Sequence, residues 1–457
     1  MLKQLLSIVT ATGFFAAPLS AAPEIEVDIA KQTGTINRKL AGVSQGGNAG
    51  SFFKPAIRKG LEGQPLPLVR IEMITNSRPH ALYDASTGKF NWTKLDEEIE
   101  AVRKAGGEVI INLFGTPQHL ASDPAAKVPA FTPPKDFRAY AEFCAEIVRH
   151  VNIDRKYGVR YWEFWNEPSG SWFWTDWKNG NRRFFELYGM VANAVKQADP
   201  GALVGGFGDN AQYPEHYAGW FRYLKENPAP LDFITIHYYG DWAGKNGTPA
   251  PQNYVRFAER MQELCRRELG RELPLFYTEW NLPAESVNRF PAAQVAAWTG
   301  CALAAMQEYG KIDGAAFFRI EHYRDPASSL FDPQGNRRTA SRVLQAFAEL
   351  PEQQLAVPVS PEDTAVLAAG NADAAAVLIS RYAPAGDATA MTVPVRFRNL
   401  RPDAAYTVSI AQEDSTSASR LGASAPQEQS HRSDAEGNLT IPVRLEPFSV
   451  AGLTLRR

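Results

Sequence analysis

Two glutamates, Glu167 and Glu279, each follow an aromatic run that reads as a strand. The first run is Tyr161-Trp162-Glu163-Phe164-Trp165-Asn166-Glu167-Pro168. The second is Leu273-Pro274-Leu275-Phe276-Tyr277-Thr278-Glu279-Trp280-Asn281. Pro168 stops the first strand, because proline has no amide to donate and restricts the residue before it. An acid is thereby set at a strand end against Trp and Phe walls, and apolar walls favour the protonated form. A protonated and an ionised carboxyl about 5 Å apart can cleave a glycosidic bond with retention of configuration. Glu167 is expected to be the acid/base and Glu279 the nucleophile.

The surrounding elements must bring these two groups to one place. Strand-like runs fall at Leu40–Gln45, Leu66–Ile74, Glu108–Phe114, Val159–Asn166, Ala202–Gly208, Asp232–Tyr239, Leu273–Trp280 and Gly314–Ile320. Amphipathic segments lie between them, at Leu95–Lys104, Asp136–Val151, Arg182–Gln197, Val255–Leu269 and Ala292–Tyr309. The strand runs are almost continuously apolar, as a parallel sheet covered on both faces requires. The alternation predicts an α/β fold: a (β/α)8 barrel over residues 40–350, with Glu167 and Glu279 ending its fourth and seventh strands. Both would face the carboxyl-end mouth, where such barrels place chemistry. After Pro351 the pattern changes to short alternating runs, at Ala375–Ser380, Met391–Phe397, Ala405–Ile410, Leu439–Leu445 and Val450–Leu455. Residues 351–457 are expected to form an all-β sandwich that also takes in the N-terminal strands of residues 23–39. The Ser-rich stretch Asp414–Asp434 reads as a mobile loop. Gly205-Gly206-Phe207-Gly208 reads as close backbone packing at a strand end.

Composition narrows the partners. Net charge is -2, so there is no basic excess for nucleic acid. Aromatics make up 11% of the chain, which suits both a large core and stacking on sugar rings. Lys3, the apolar Leu5–Phe15 run and the small residues up to Ala22 have the form of a secretory signal over residues 1–22, cut after Ala21 or Ala22. Export to the periplasm or the medium is expected, with no membrane insertion once the signal is removed. Cys144, Cys265 and Cys301 have neither disulfide-framework nor metal-ligand spacing, although a Cys265–Cys301 bridge is open to an exported chain.

The ordered set of motifs resembles the retaining (β/α)8-barrel glycoside hydrolases, most closely family 39, whose members include β-xylosidases and exopolysaccharide endoglycosidases. The resemblance spans roughly Leu40–Leu350. It rests on Leu120-Ala121-Ser122, Phe164-Trp165-Asn166-Glu167-Pro168, Glu186-Leu187-Tyr188, Val204-Gly205-Gly206, Asp232-Phe233-Ile234 with His237, and Thr278-Glu279-Trp280-Asn281. It implies that Glu167 is the acid/base and Glu279 the nucleophile. It further implies that Asn166 holds the sugar 2-hydroxyl, His237 orients the acid or the substrate, Tyr239 bonds the nucleophile, and Arg70 keeps Glu279 ionised. Arg70 could equally form a floor ion pair with Glu163. Trp280, Glu72, Glu321 and Trp172 are further candidates for substrate contact; Trp172, Trp174 and Trp177 would either stack on a chain or form a loop minicore. Where the xylosidases carry a histidine, this chain has Glu72, and their Trp and tandem Glu after strand eight are replaced by Phe317-Phe318-Arg319-Ile320-Glu321-His322. The expectation is therefore a retaining, endo-acting hydrolase of a polysaccharide or oligosaccharide, needing neither metal nor organic cofactor. The rivals are an exo-acting β-xylosidase-like glycosidase and a non-catalytic glycan binder.

Overall fold

A computed structural model of the chain describes residues 24–45, 54–72, 75, 82–84, 86–179, 181–241, 249–283, 290–321, 329–414, 421 and 427–457. The signal expected over residues 1–22, with its cleavage point, lies outside them. Among the described residues no helix is long and apolar enough to cross a membrane.

The described chain opens on β1 (Ile25–Thr35) and then enters the barrel. In order come β2 (Gly42–Gln45), β3 (Leu68–Ile71), a hairpin of β4 (Tyr83–Asp84) and β5 (Lys89–Phe90), β6 (Glu108–Leu113), β7 (Tyr161–Phe164), β8 (Leu203–Asn210), β9 (Phe233–Tyr239), β10 (Leu275–Asn281) and β11 (Gly314–Phe318). All but β1 and the hairpin pair in parallel and close in the order β10-β11-β2-β3-β6-β7-β8-β9. Each of the eight strand runs seen in the sequence overlaps one of these strands; six contain theirs, while β8 runs on to Asn210 and β10 to Asn281, past the expected ends. The helices are α1 (Pro55–Leu61), α2 (Thr93–Lys104), α3 (Phe137–Val148), α4 (Arg182–Ala198), α5 (Pro214–Glu226), α6 (Asn253–Leu269), α7 (Ala292–Tyr309) and α8 (Thr339–Ala348).

Pleating divides the barrel interior into layers. The floor is apolar, built from Leu68, Ile110, Tyr161, Phe233 and Phe276. Two residues further along these strands the inward positions turn polar: Arg70, Asn112, Glu163 and Thr235, all 0% exposed. That layer carries the site. The outward residues Val69, Ile111, Trp162, Phe164, Tyr238 and Tyr277 join the helices in the main core.

The C-terminal strands are β12 (Gln353–Val359), β13 (Thr364–Gly370), β14 (Ala374–Tyr382), β15 (Met391–Arg398), β16 (Ala405–Glu413), β17 (Gln427–Arg432), β18 (Leu439–Leu445) and β19 (Phe448–Arg456). With β1 they form a nine-stranded sheet in the order β17-β16-β19-β14-β13-β12-β1-β15-β18. The sheet bends over itself, so that Gln412 on β16 donates to the Arg444 carbonyl on β18 at 2.6 Å. Ile25, Val395 and Ile441 thus share one core with Val408 and Leu453. This layer packs on α7: the Cys301 thiol meets the Ser380 carbonyl at 3.4 Å, and Arg342 of α8 pairs with Glu413 at 3.3 Å. Part of the expected Asp414–Asp434 loop is strand β17, which pairs residue for residue with β16, and residues 415–420 and 422–426 lie outside the described set. The three cysteines are free and buried, so the possible Cys265–Cys301 bridge does not form.

Candidate active site

Arg70 is the hub. It leaves β3 inward, is fully buried, and its fork reaches β7, the turn after β7, and β10. Nε donates to Glu163 at 2.5 Å, Nη1 to Glu279 at 2.9 Å, and Nη2 to the side-chain Oδ1 of Asn166 at 2.7 Å. Nη1 also lies 2.8 Å from Glu72. Neighbouring carboxylates hold its charge more firmly than burial opposes it, so its pKa is raised. Arg70 thus forms the floor ion pair with Glu163 and contacts Glu279 as well, where its charge opposes the rise in the Glu279 pKa without cancelling it. Arg70→Met leaves three carboxylates without their shared cation; a loss of about 3–5 kcal/mol is expected in chemical denaturation, and a loss below about 1 kcal/mol would remove Arg70 as the hub.

Glu279 is 6% exposed and is gripped from two sides. Arg70 holds Oε1, and the Tyr239 hydroxyl donates to Oε2 at 2.6 Å. Burial pushes its pKa up to about 7, with His237 and Arg70 opposing the rise and Glu72 and Glu167 adding to it. Burial likewise pushes His237 down to about 4. His237 is then neutral near pH 7, and the hydrogen bonds to the Glu279 carboxyl come from Arg70 and Tyr239.

Glu167 stands three residues past β7. The turn carrying it has left-handed backbone at Trp165 (φ 62°) and at Glu167 itself (φ 41°), conformations that non-glycine residues rarely adopt. The Glu167 amide bonds the Gly208 carbonyl at 3.3 Å, and its Oε1 lies 2.8 Å from His237 Nδ1. A Cβ on Gly208 would sit 2.7 Å from His237 Nε2, so this glycine lets the imidazole approach the β8 backbone closely, as the close packing expected of the glycine cluster requires.

Glu167, His237 and Glu279 each place an oxygen or ring nitrogen within 4.8 Å of the other two. Retaining glycosidases hold their carboxyl groups about 5–5.5 Å apart, and inverting ones about 6.5–9.5 Å, leaving room for a water. The arrangement fits direct attack by Glu279. These atoms are already engaged, by Arg70 and Tyr239 on one carboxylate and by His237 on the other.

The remaining candidates divide. Glu72 takes a 2.5 Å hydrogen bond from Ser44, and burial raises its pKa. Glu321 pairs with Lys54 at 2.6 Å at the mouth, where Lys54 is half-exposed. Trp172 is 78% exposed, in the loop after Glu167. Trp174 and Trp177 instead form the loop minicore, packed edge-on against Phe184. Trp280 is not brought to the mouth. It points outward, edge-on to Tyr254 of α6 and to Phe317, because pleating turns it away from the side that Glu279 faces.

Five polar residues escaped the sequence: Ser44, Lys54, Asn112, Thr278 and Arg319. Asn112 donates to Glu163 at 2.8 Å and to the Trp165 carbonyl at 2.6 Å, tying the strained turn to the barrel. Arg319 stacks 4.4 Å over the Phe318 ring, whose edge meets Tyr239, and its charge eases the ionisation of Glu72. Thr278 stands in the Thr278-Glu279-Trp280-Asn281 motif with no role attached to it, and the other four carry no role in the sequence; only the inward register of β2, β6 and β10 picks out Ser44, Asn112 and Thr278.

A model of the family described as Glycosyl hydrolases family 39 matches residues 70–379. A β-xylosidase of Geobacillus stearothermophilus is 28% identical over 217 residues, which is 44% of this chain and 42% of that protein. The match thus spans less than half the length of that curated relative. Among solved structures, a glucosidase from Croceicoccus marinus superposes with a TM-score of 0.77 at 21% identity, covering 96% of this chain and 100% of that one. A GH39 enzyme from Xanthomonas axonopodis pv. citri gives 0.77 at 19% identity, over 98% and 100% of the two chains.

Proposed function

The chain belongs to the glycosyl hydrolases of family 39, and from that premise we propose that it is a retaining hydrolase of an oligosaccharide or polysaccharide, with Glu167 as acid/base and Glu279 as nucleophile. The observation carrying this is the approach of the two carboxylates within 4.8 Å beneath one mouth. In the first step Glu279 Oε forms a bond to the anomeric carbon while the glycosidic oxygen leaves with the proton of Glu167. In the second, water loses a proton to Glu167, bonds to that carbon, and releases the Glu279 carboxylate. Asn166, held by Arg70, is placed to take the 2-hydroxyl, and Glu72 and Glu321 to accept from other hydroxyls.

Endo action on an exopolysaccharide is favoured by Trp172. An indole this exposed, five residues past the acid, offers a platform for sugars on the leaving-group side. Trp172→Ala is expected to raise KM for long oligosaccharides about 3–10-fold, leave the shortest aryl glycoside unaffected, and change stability by less than about 0.5 kcal/mol. Equal KM changes for short and long substrates would rule the platform out. The exo-acting β-xylosidase-like alternative draws on the name of the Geobacillus relative. Hydrolysis of a polysaccharide panel with product lengths recorded separates the two: mixed oligomers mean endo, single sugars from chain ends mean exo, and no release of sugar from any member contradicts the function. Export through residues 1–22 belongs to the same proposal and is tested by the N-terminal sequence of the mature protein.

A further inference from the structure

The hydrogen atoms around His237 can be counted. Glu163 Oε2 accepts from Arg70 Nε at 2.5 Å and from Asn112 Nδ2 at 2.8 Å. Its Oε1 lies 2.8 Å from the Thr278 hydroxyl. Two oxygens at that distance need a proton between them, and the arginine-paired carboxylate has none to offer, so Thr278 donates to Glu163. A hydroxyl has one proton. Thr278 Oγ therefore turns a lone pair to His237 Nε2, 3.2 Å away, and Nε2 must carry the hydrogen. A neutral imidazole protonated at Nε2 is bare at Nδ1, and Nδ1 faces Glu167 Oε1 at 2.8 Å. The remaining proton of that contact belongs to Glu167.

Backbone geometry makes this possible. The β9–β10 register slips between Tyr277 and Glu279, and such a bulge turns two successive side chains, Thr278 and Glu279, toward the interior. We propose that Thr278 is a positioning residue that fixes the tautomer of His237 and thereby keeps the catalytic proton on Glu167; this rests on the two-glutamate reaction above. The charged groups facing the pair are Glu279 from β10, 3.7 Å from Nδ1, Arg70 from β3, Glu163 beneath, and Asp209 from β8 with its partner His216. The carboxylates favour an imidazolium; burial and Arg70 oppose it and prevail. Once Glu167 has given its proton to the leaving oxygen, its carboxylate faces the bare Nδ1, acceptor against acceptor. Taking a proton from the attacking water relieves that contact, so the same wiring strengthens Glu167 as the base of the second step.

The test compares Thr278→Val with Thr278→Ser on a substrate the wild type hydrolyses. Valine removes the acceptor for Nε2–H, so His237 can shift its proton to Nδ1 and donate to an ionised Glu167. The alkaline limb of kcat/KM should move to lower pH by about one unit, the shift one ordinary hydrogen bond supports. Serine should restore the wild-type limb. A rate lowered equally at all pH values, with the limb unmoved, overturns the proposal. A second measurement does not depend on the valine variant folding: nitrogen-15 spectra of the wild type, with His237 assigned through His237→Asn, should show Nδ1 bare and Nε2 protonated. The reverse tautomer overturns the proposal even in a fully active enzyme. If the wild type cleaves no glycoside, the proposed function falls, while the spectra still read the tautomer.

Discussion

Glu279→Gln is expected to cut turnover by ~10⁴–10⁶-fold, the loss typical when the attacking group itself is removed. The amide keeps the shape of the carboxylate but cannot form or release the glycosyl ester. The fold should survive, because Arg70 retains Glu163 and Glu72. Stability should also change with pH in a defined sense. The folded-state pKa of Glu279 is raised from 4.5 to about 7, so the folded wild type loses stability as pH rises through that window. The gap between variant and wild type should therefore move in favour of the variant from pH 4.5 to about 7, as followed by chemical denaturation. Undiminished turnover, or a stability gap independent of pH, would show that Glu279 is not the buried nucleophile.

Glu167→Ala is expected to slow substrates with poor leaving groups by ~10²–10⁴-fold, the usual worth of a general acid. Substrates whose leaving group departs without a proton should form the glycosyl-enzyme at close to the normal rate and then stall, since no base remains to activate water. Azide, which needs no base and fits the space left by the side chain, should restore their turnover and give a glycosyl azide of retained configuration. The expected pattern is thus a dependence on leaving group together with rescue. An equal loss on all leaving groups, with no azide product, would mean that Glu167 acts only by holding the turn between β7 and α4. Its left-handed φ of 41° makes that a real alternative, because alanine is no better suited to such a conformation than glutamate.

The barrel was legible because both of its periodicities are written plainly. Strands covered on two faces need unbroken apolar runs, and the helices between them need one apolar stripe. Three helices escaped. Two of them, α1 and α5, start on Pro55 and Pro214, where a proline reads as a loop unless it is recognised as the first residue of a helix. Strands β12, β13 and β17 escaped as well. β13 is rich in alanine and β17 is polar, so neither shows a strong alternation, and only their neighbours in the curled sheet commit them.

In the site, residues in motifs were readable and residues bound by register were not. Arg70, His237 and Tyr239 were accessible through the resemblance, because each stands at a strand end that matches a residue of the family's pattern. Ser44 and Asn112 are ordinary residues whose roles come from the layer they occupy. Trp280 shows the opposite error: adjacency to a catalytic residue along a strand places a side chain on the other face. Thr278 keeps the ordinary inward register two residues past Phe276, and it is Glu279 beside it that the bulge also turns inward; a bulge leaves no mark in the one-dimensional sequence.

The most direct measurement of the central claim is the configuration of the first sugar released, followed by proton NMR before mutarotation, on whichever glycoside the enzyme cleaves. With an oxygen of each carboxylate within 4.8 Å of the other, the spacing suits direct attack rather than a water held between nucleophile and sugar, so retention is expected. Release of the inverted anomer would contradict it.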